Sequence, residues 1–177
     1  GNHHQSGTDR IFEGYKKLDI SNIDYILNLQ GDEPVLNEED IINLNNLMIK
    51  NGADIGTLAA EIKNEKIFAN KNIVKVITKK KLNSSSFTLA TSFRRNHIPT
   101  KEEYAYHHIG IYTYKVKTLE KFVNFKQTRN EIENRLEQLR ALDNNLKINV
   151  TLAKYSSIGI DTQEDYLALK KNMEYKS

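Results

Sequence analysis

The first residues suited to chemistry lie where an apolar segment at 23–27 gives way to Leu-Gln-Gly-Asp-Glu-Pro at 29–34. This pattern predicts a buried strand that ends in a sharp turn and leaves Gln30 and Asp32 at its carboxyl end. In an open α/β sheet, ligands bind at that edge. A carboxylate beside a flexible glycine suits a hard metal ion that carries phosphates. The alternative is that Asp32 caps the helix predicted to begin near Asn37.

A second group lies on the predicted strand at 107–114, which is rich in aromatic residues. Side chains alternate along a strand, so His108, Gly110 and Tyr112 should share one face. A histidine and a tyrosine around a glycine leave space for a small polar ligand. The alternative is a hydrogen-bonded strand of the core.

Carboxylates also occur at two predicted helices. Glu137 and Gln138 fall within an amphipathic helix predicted at 130–143, where they cannot both lie on the side farthest from its leucines. They either bind hydroxyl groups or are ordinary surface residues. Asp161 immediately precedes a helix predicted at 162–172, where it is either a second functional carboxylate or a helix cap.

The basic residues are dispersed among acidic ones, and the net charge is only +3. The single tight basic run, at 79–81, fits a solvated turn, so nucleic-acid binding has little support. Arg94 and Arg95 precede Ile-Pro in a loop, where a guanidinium group can meet a carboxylate or phosphate in bidentate fashion. An ordinary surface pair is the alternative for them.

Composition limits the class of protein. The chain has 177 residues, of which 38% are hydrophobic and 28% charged, which is enough for one compact domain with a substantial core. It contains no cysteine, so disulfides and thiolate metal sites are excluded and a reducing cytoplasm is the expected location. No apolar stretch reaches the length of a membrane span, and no signal peptide is visible.

Helix and strand patterns alternate along the chain. The predicted helices lie at 8–18, 37–50, 117–124, 130–143 and 162–172, with a short turn or helix at 65–70; the predicted strands lie at 25–30, 55–62, 73–78, 87–90, 107–114 and 148–154, with an irregular segment at 93–100. This alternation predicts one α/β domain over residues 1–177, with a mixed, mostly parallel sheet flanked by helices. A sheet protein that opens on a loop and a helix is expected to lack its first, N-terminal strands.

Taken in order, these motifs resemble those of the 3-deoxy-manno-octulosonate cytidylyltransferases, the CMP-Kdo synthetases of lipopolysaccharide biosynthesis. The matching segments are His-Gln-Ser-Gly-Thr-Asp-Arg at 4–10, Leu-Gln-Gly-Asp-Glu-Pro at 29–34, Asn-Ile-Val-Lys-Val at 72–76, Phe-Arg-Arg at 93–95 with Ile-Pro at 98–99, His-Ile-Gly-Ile-Tyr at 108–112, Leu-Glu-Gln-Leu-Arg at 136–140, and Gly-Ile-Asp-Thr at 159–162 with Glu-Asp at 164–165. Each motif alone is modestly specific, whereas together they are highly specific. The resemblance covers essentially the whole chain and implies a nucleotide-diphospho-sugar transferase-like fold.

The resemblance also implies a reaction and a set of site residues. The family transfers a cytidylyl group from CTP to 3-deoxy-D-manno-octulosonate (Kdo) with Mg²⁺, giving CMP-Kdo and pyrophosphate, and is expected to act as a cytoplasmic homodimer. Asp32 and Asp161 match metal-binding, catalytic positions, and Arg95 matches a further catalytic position. The sugar-binding set is Gln30, His108, Tyr112, Glu137 and Gln138, and the nucleotide-binding set is Ser6, Gly7 and Arg10.

The sequence also departs from the family pattern. The family's amino-terminal strand and its phosphate-gripping loop, rich in Arg, Ser, Gly and Lys, are not in this sequence. The segment between Pro99 and Tyr104 is short, and Gln163 stands where the family has proline. Two alternatives to the full activity therefore remain: a non-catalytic remnant or subunit, and a cytidylyltransferase for a related acid sugar.

Overall fold

The computed structural model describes residues 7–18, 20–29, 37–63, 65–96 and 100–154. The helices of this part are α1 (Gly7–Lys17), α2 (Glu38–Asn51), α3 (Glu65–Ala69), α4 (Val116–Val123), α5 (Arg129–Asn134) and α6 (Gln138–Asp143). The strands are β1 (Tyr25–Asn28), β2 (Ile55–Ala60), β3 (Lys75–Thr78), β4 (Thr88–Arg94), β5 (Tyr104–Lys115) and β6 (Ile148–Leu152).

These strands form one mixed sheet in the order β1-β5-β2-β6-β4-β3, and β3 also pairs with β5. The pairings close a circuit of five strands, to which β1 adds at β5. A mixed sheet is what the sequence predicts, but the prediction of a mostly parallel one is wrong for the described strands. Only β2 and β6 pair in parallel there, and the other pairings are antiparallel. The reason is that β3, β4 and β5 follow one another without a helical crossover, and parallel neighbours need one.

Alternation along the central strand β5 separates two apolar cores. The larger core includes Tyr112 and Tyr114 of β5 and lies against Phe122 of α4 and parts of α1 and α6. The smaller core joins Ile109 and Ile111 of the same strand to α2 on the opposite side. The sheet is therefore a central layer with helices on both of its faces.

Helix α2 approaches β2 closely because the strand carries a glycine at the contact. A Cβ built on Gly56 would collide with Sδ of Met48, a side chain that is fully buried. The helix ends at Gly52, which adopts the left-handed conformation with φ 57°. Both glycines thus serve the packing of one helix on the sheet.

Most predicted elements are found, with two corrections in the described part. The helix predicted at 130–143 is two helices, because Arg135 adopts a left-handed conformation with φ 53° and ends α5. The segment predicted to be irregular from residue 93 begins as strand, because β4 continues to Arg94 in register with β3. The helix predicted at 162–172 lies outside the described residues. No helix in the described ranges is long and apolar enough to cross a membrane.

Candidate functional site

Strand β5 carries the centre of the candidate site. The rings of His108 and Tyr112 lie 5.3 Å apart between centroids, which confirms that they share one face. Between them β5 bulges against β2: Thr57 pairs with Tyr112, whereas the next residue, Leu58, pairs with Ile109. Bulges re-aim side chains and are common beside functional sites.

His108 is buried and held on several sides. Its Nε2 lies 3.0 Å from Oγ1 of Thr57, and its backbone N–H donates to the carbonyl of Val74 at 2.9 Å. The ring of Phe93 meets it edge-on, with centroids 5.1 Å apart. Burial, with a smaller effect of His107, lowers the pKa of His108 to about 3, so the ring is neutral near neutral pH.

Tyr112 is buried, and its hydroxyl has no hydrogen-bond partner among the described residues. Burial raises the pKa of this phenol well above its usual value, and Tyr114 and Glu137 raise it further. The hydroxyl is therefore protonated and can donate to an incoming group. A buried unsatisfied hydroxyl costs stability unless a ligand or water bonds to it.

Glu137 is placed by the break between α5 and α6. It is the residue before α6, and Gln138 is the first residue of that helix; both are half-buried. Behind Glu137, the buried Arg140 donates to both carboxylate oxygens of Glu131, from Nε at 2.8 Å and from the second guanidinium nitrogen at 2.5 Å. This ion pair joins the two short helices and fixes the start of α6.

The beginning of α1 forms an adjoining wall of the site. Gly7 lines an open pocket of about 440 Å³ together with Glu131 and Glu137. The side chain of Thr8 is hydrogen-bonded to Tyr114, the tyrosine next to Tyr112 on the same face. The described end of the 4–10 segment therefore lies beside Glu137 and Tyr114. Arg10 lies exposed on the same helix.

Arg95 follows β4 and is fastened to the turn before β3. Its guanidinium group donates to the carbonyl of Asn72 at 3.0 Å. Its own carbonyl accepts from Nζ of the buried Lys75 at 2.8 Å, and Lys75 also donates to the carbonyl of Asn70 at 2.6 Å. Burial and the charge of Arg95 lower the pKa of Lys75. The position of Arg95 is therefore fixed by hydrogen bonds of both its side chain and its backbone carbonyl.

The remaining predicted site residues, Ser6, Gln30, Asp32 and Asp161, lie outside the described residues. The alternative role of Asp32 as the cap of α2 is wrong, because Asn37 caps that helix and accepts from the backbone N–H of Glu39 at 2.8 Å. Strand β1 ends at Asn28, which pairs with Tyr112, so the chain leaves β1 beside the candidate site. Among the described residues, no three His, Cys, Asp or Glu side chains form a group that would hold a metal ion.

Three supporting residues were not singled out from the sequence. Thr57, Glu131 and Arg140 are polar or charged and nearly inaccessible to solvent, at 0%, 4% and 1% exposure. Arg140 stands in a family-like motif, but nothing in its sequence position shows that it pairs with Glu131. Such pairings depend on the way that elements pack together.

The site as described combines a neutral imidazole, a protonated phenol and a half-buried carboxylate beside an open pocket. These groups offer both donors and acceptors at fixed positions, which suits a polyhydroxylated ligand.

Comparisons with known proteins agree with this description. The chain matches the cytidylyltransferase family model over residues 1–148. A relative from Thermodesulfovibrio yellowstonii, named 3-deoxy-manno-octulosonate cytidylyltransferase, is 42% identical over 183 residues, which cover 95% of this chain and 69% of the relative. One of the same name from Bartonella bacilliformis is 40% identical over 174 residues, which cover 96% and 69%.

A solved structure supports the fold. It is CMP:2-keto-3-deoxy-manno-octonic acid synthetase complexed with CTP, which has a TM-score of 0.84 at 28% identity and covers 99% of this chain and 71% of its own. The predicted family and the nucleotidyltransferase-like α/β fold are thereby confirmed. The chain belongs to the cytidylyltransferase family, among its 3-deoxy-manno-octulosonate cytidylyltransferases.

Proposed function

We propose that this chain catalyses cytidylyl transfer from CTP to Kdo, giving CMP-Kdo and pyrophosphate. The observation that carries the proposal is the buried Tyr112 hydroxyl, which has no partner among the described residues and lies beside neutral His108. A ligand hydroxyl or carboxylate that bonds there would satisfy it. The names of the relatives supply the identity of the acid sugar.

The sugar is held, on this proposal, by residues from three elements. His108 and Tyr112 come from β5, Glu137 and Gln138 from the start of α6, and Gln30 from the segment after β1. A polyhydroxy acid needs several donors and acceptors in fixed places, and a single element could not supply them. The Glu131–Arg140 pair holds the start of α6, with Glu137 and Gln138, against α5.

Of the residues proposed to act near the metal and the phosphates, Ser6, Asp32 and Asp161 lie outside the described residues. The anomeric oxygen of Kdo attacks the α-phosphorus of CTP, and pyrophosphate leaves, so positioning and charge neutralisation are the main tasks. We propose that Asp32 and Asp161 hold Mg²⁺, since carboxylates are the side chains that Mg²⁺ prefers. The metal would supply charge neutralisation at the phosphates. Arg95, Ser6, Gly7 and Arg10 are proposed to act near the nucleotide or the sugar.

The matches cover 69% of each of the two relatives, and we propose that activity also uses the family's amino-terminal strand and phosphate-gripping loop. Backbone N–H groups and cations of such loops bind phosphates strongly. We also propose a homodimer in the cytoplasm, which is the arrangement expected from the resemblance.

Reconstitution tests the proposal. The chain is fused to the amino-terminal segment of the T. yellowstonii relative, and pyrophosphate release from CTP and Kdo is measured with and without Mg²⁺. We expect Mg²⁺-dependent release that Asp32→Asn or Asp161→Asn abolishes, while Glu133→Gln, an exposed change on α5, leaves it intact. A fusion that folds but binds neither CTP nor Kdo in calorimetry would show a non-catalytic remnant instead.

A further inference from the structure

The hydroxyl of Thr57 lies at the β5 bulge within reach of three groups. Its Oγ1 is 2.6 Å from the carbonyl oxygen of Ile111, 3.3 Å from that of Ile109 and 3.0 Å from Nε2 of His108. Thr57 is completely buried, so water does not compete for these contacts. The three contacts together determine where the protons are.

A threonine hydroxyl has one proton to donate and lone pairs with which to accept. The carbonyl oxygens accept only, and two acceptors without a proton between them repel at 2.6 Å. The hydroxyl proton must therefore point at the Ile111 carbonyl. Towards His108, Oγ1 can then only accept a hydrogen bond through a lone pair. Nε2 of His108 must therefore carry a proton and donate it to Oγ1.

We propose that Thr57 is a positioning residue that fixes His108 as the tautomer with its proton on Nε2, leaving Nδ1 as an acceptor for a hydroxyl group of the sugar acid. This rests on the proposed function as far as the ligand is concerned, whereas the tautomer follows from the contacts alone. A neutral imidazole can carry its proton on either ring nitrogen. If nothing selected one tautomer, Nδ1 would be an acceptor for only part of the time.

Two observations agree with this role. Nδ1 of His108 has no hydrogen-bond partner in the part of the chain that the structure describes, so it is the ring nitrogen left for a ligand. The rings of Phe93 and Tyr112 both pack against the His108 ring, with centroids 5.1 Å and 5.3 Å away, and these contacts oppose its rotation away from Thr57. Burial keeps the ring neutral, which is the condition for having an acceptor nitrogen at all.

The substitution Thr57→Val tests the proposal because it removes the hydroxyl and keeps the shape. Thr57→Ser restores the hydroxyl. Thr113→Val is the matched control: Thr113 is equally buried on β5, but its hydroxyl donates to Oδ1 of Asn45 of α2 on the opposite face. All variants are made in the fusion with the T. yellowstonii segment, and their folding is checked by thermal unfolding.

The first measurement is the ¹⁵N NMR spectrum of the His108 ring, assigned by its loss in His108→Asn. We expect a protonated Nε2 and a bare Nδ1 in the wild type, in Thr57→Ser and in Thr113→Val, and a mixture of tautomers in Thr57→Val. A wild-type ring with its proton on Nδ1, or the same spectrum in Thr57→Val as in the wild type, would overturn the proposal.

The second measurement is steady-state kinetics. Thr57→Val should raise KM for Kdo on the order of ten-fold, with little change in kcat or in KM for CTP, because a substrate-binding contact is weakened. Thr57→Ser should restore it. If the fusion fails to bind Kdo while Thr57→Val still shifts the tautomer, the proposed substrate is wrong and the role of Thr57 stands.

Discussion

The three buried tyrosines of β5, which share one core, differ in how their hydroxyls are used. That of Tyr106 accepts from the backbone N–H of Leu82 at 3.0 Å, and that of Tyr114 is bonded to Thr8. That of Tyr112 has no partner in the described part of the chain. The first two tie loops and helices to the sheet, so only the third hydroxyl is left for a ligand.

Replacing Tyr112 by phenylalanine should therefore separate stability from activity. The change removes an unsatisfied hydroxyl and keeps the ring, so the free energy of unfolding should stay within about 0.5 kcal/mol of the wild type or rise. KM for Kdo in the fused protein should rise roughly ten-fold, because the ligand loses one hydrogen bond. Urea unfolding and steady-state kinetics measure the two effects.

Tyr106→Phe is the matched control for this prediction. It should destabilise the fold by about 1–2 kcal/mol, because it leaves the buried N–H of Leu82 without an acceptor, and it should leave KM for Kdo unchanged. If Tyr112→Phe instead lost as much stability as Tyr106→Phe, the Tyr112 hydroxyl would have a structural partner and the site would lose its main support.

The depressed pKa of His108 predicts a dependence of stability on pH. The unfolded chain binds a proton on this residue below about pH 6.5, whereas the folded chain does so only below about 3. Between these values the unfolded state holds more protons, so stability falls as the pH is lowered, by at most about 1.4 kcal/mol per pH unit. Above about pH 6.5 the contribution is complete. The contribution of His108 is the difference between wild type and His108→Asn in how the free energy of unfolding, measured with urea, changes with pH. The same change with pH in both proteins would contradict the prediction.

At the residue scale, the sequence shows which side chains share a face but not what they touch. Alternation alone predicts that His108 and Tyr112 lie together, and this is confirmed. The contact of His108 with Thr57 depends on the register between β2 and β5 and on the bulge between them. No local pattern determines either, because the paired residues are far apart along the chain.

At the element scale, the junction of α5 and α6 decides where Glu137 lies. A capping box at Thr128 begins α5, since its hydroxyl accepts from the N–H of Glu131 and the Glu131 carboxylate accepts in return. The same carboxylate pairs with Arg140, whose guanidinium group lies over the ring of Phe122 at 4.9 Å. One glutamate thus begins one helix and holds the next against α4.

The variant Glu131→Ala should therefore be severely destabilising. It leaves the buried guanidinium group of Arg140 with only the more distant carboxylate of Glu137, 4.0 Å away, among its ion-pair partners in the described residues, and breaking a buried pair in this way costs about 3–5 kcal/mol. Glu131→Gln, which keeps the shape and an acceptor, should cost less and should raise KM for Kdo by loosening the start of α6. Urea unfolding of the fused protein and its kinetics give the two values.

A neighbouring ion pair supplies the control. Arg129 and Glu133 are joined on the exposed side of α5, with side chains 90% and 56% exposed. Glu133→Ala should change stability by about 0.5 kcal/mol at most, as exposed pairs of this spacing do. Equal losses for the two glutamates would mean that Arg140 finds another partner when Glu131 is removed.

The periodicity of residues 130–143 could not show this junction. Apolar residues recur there at helical spacing, and the break comes from Arg135, a residue type with no preference for the left-handed conformation. Gly52, by contrast, ends α2 in the same conformation and was predictable as a stop signal. Helix ends made by glycine are visible in a sequence, and those imposed by packing are not.

At the scale of the whole molecule, the alternation of helix and strand patterns along the sequence was enough to predict the fold class. It was not enough to predict the directions of the strands. They predict strands between layers of helices, and the two cores on either face of β5 agree. They do not distinguish a helical crossover from a direct return, so β3 and β4 were not foreseen as antiparallel partners. The family motifs determined the fold more sharply than the periodicity did.

The arrangement of layers predicts how ligand binding changes hydrogen exchange. Strand β5 is paired along both edges, so its amides should exchange only by near-global unfolding, whereas α1 and α2 lie on opposite faces and can open locally. Kdo at about 100 times its dissociation constant should slow exchange in β5 about 100-fold. It should also slow exchange in α1, whose first turn lines the pocket, and leave local exchange in α2 unchanged. Exchange measured on the fused protein, with Tyr112→Phe as the weak-binding control, gives these rates. Slowing in β5 without any in α1 would mean that the sugar binds on another side of the sheet.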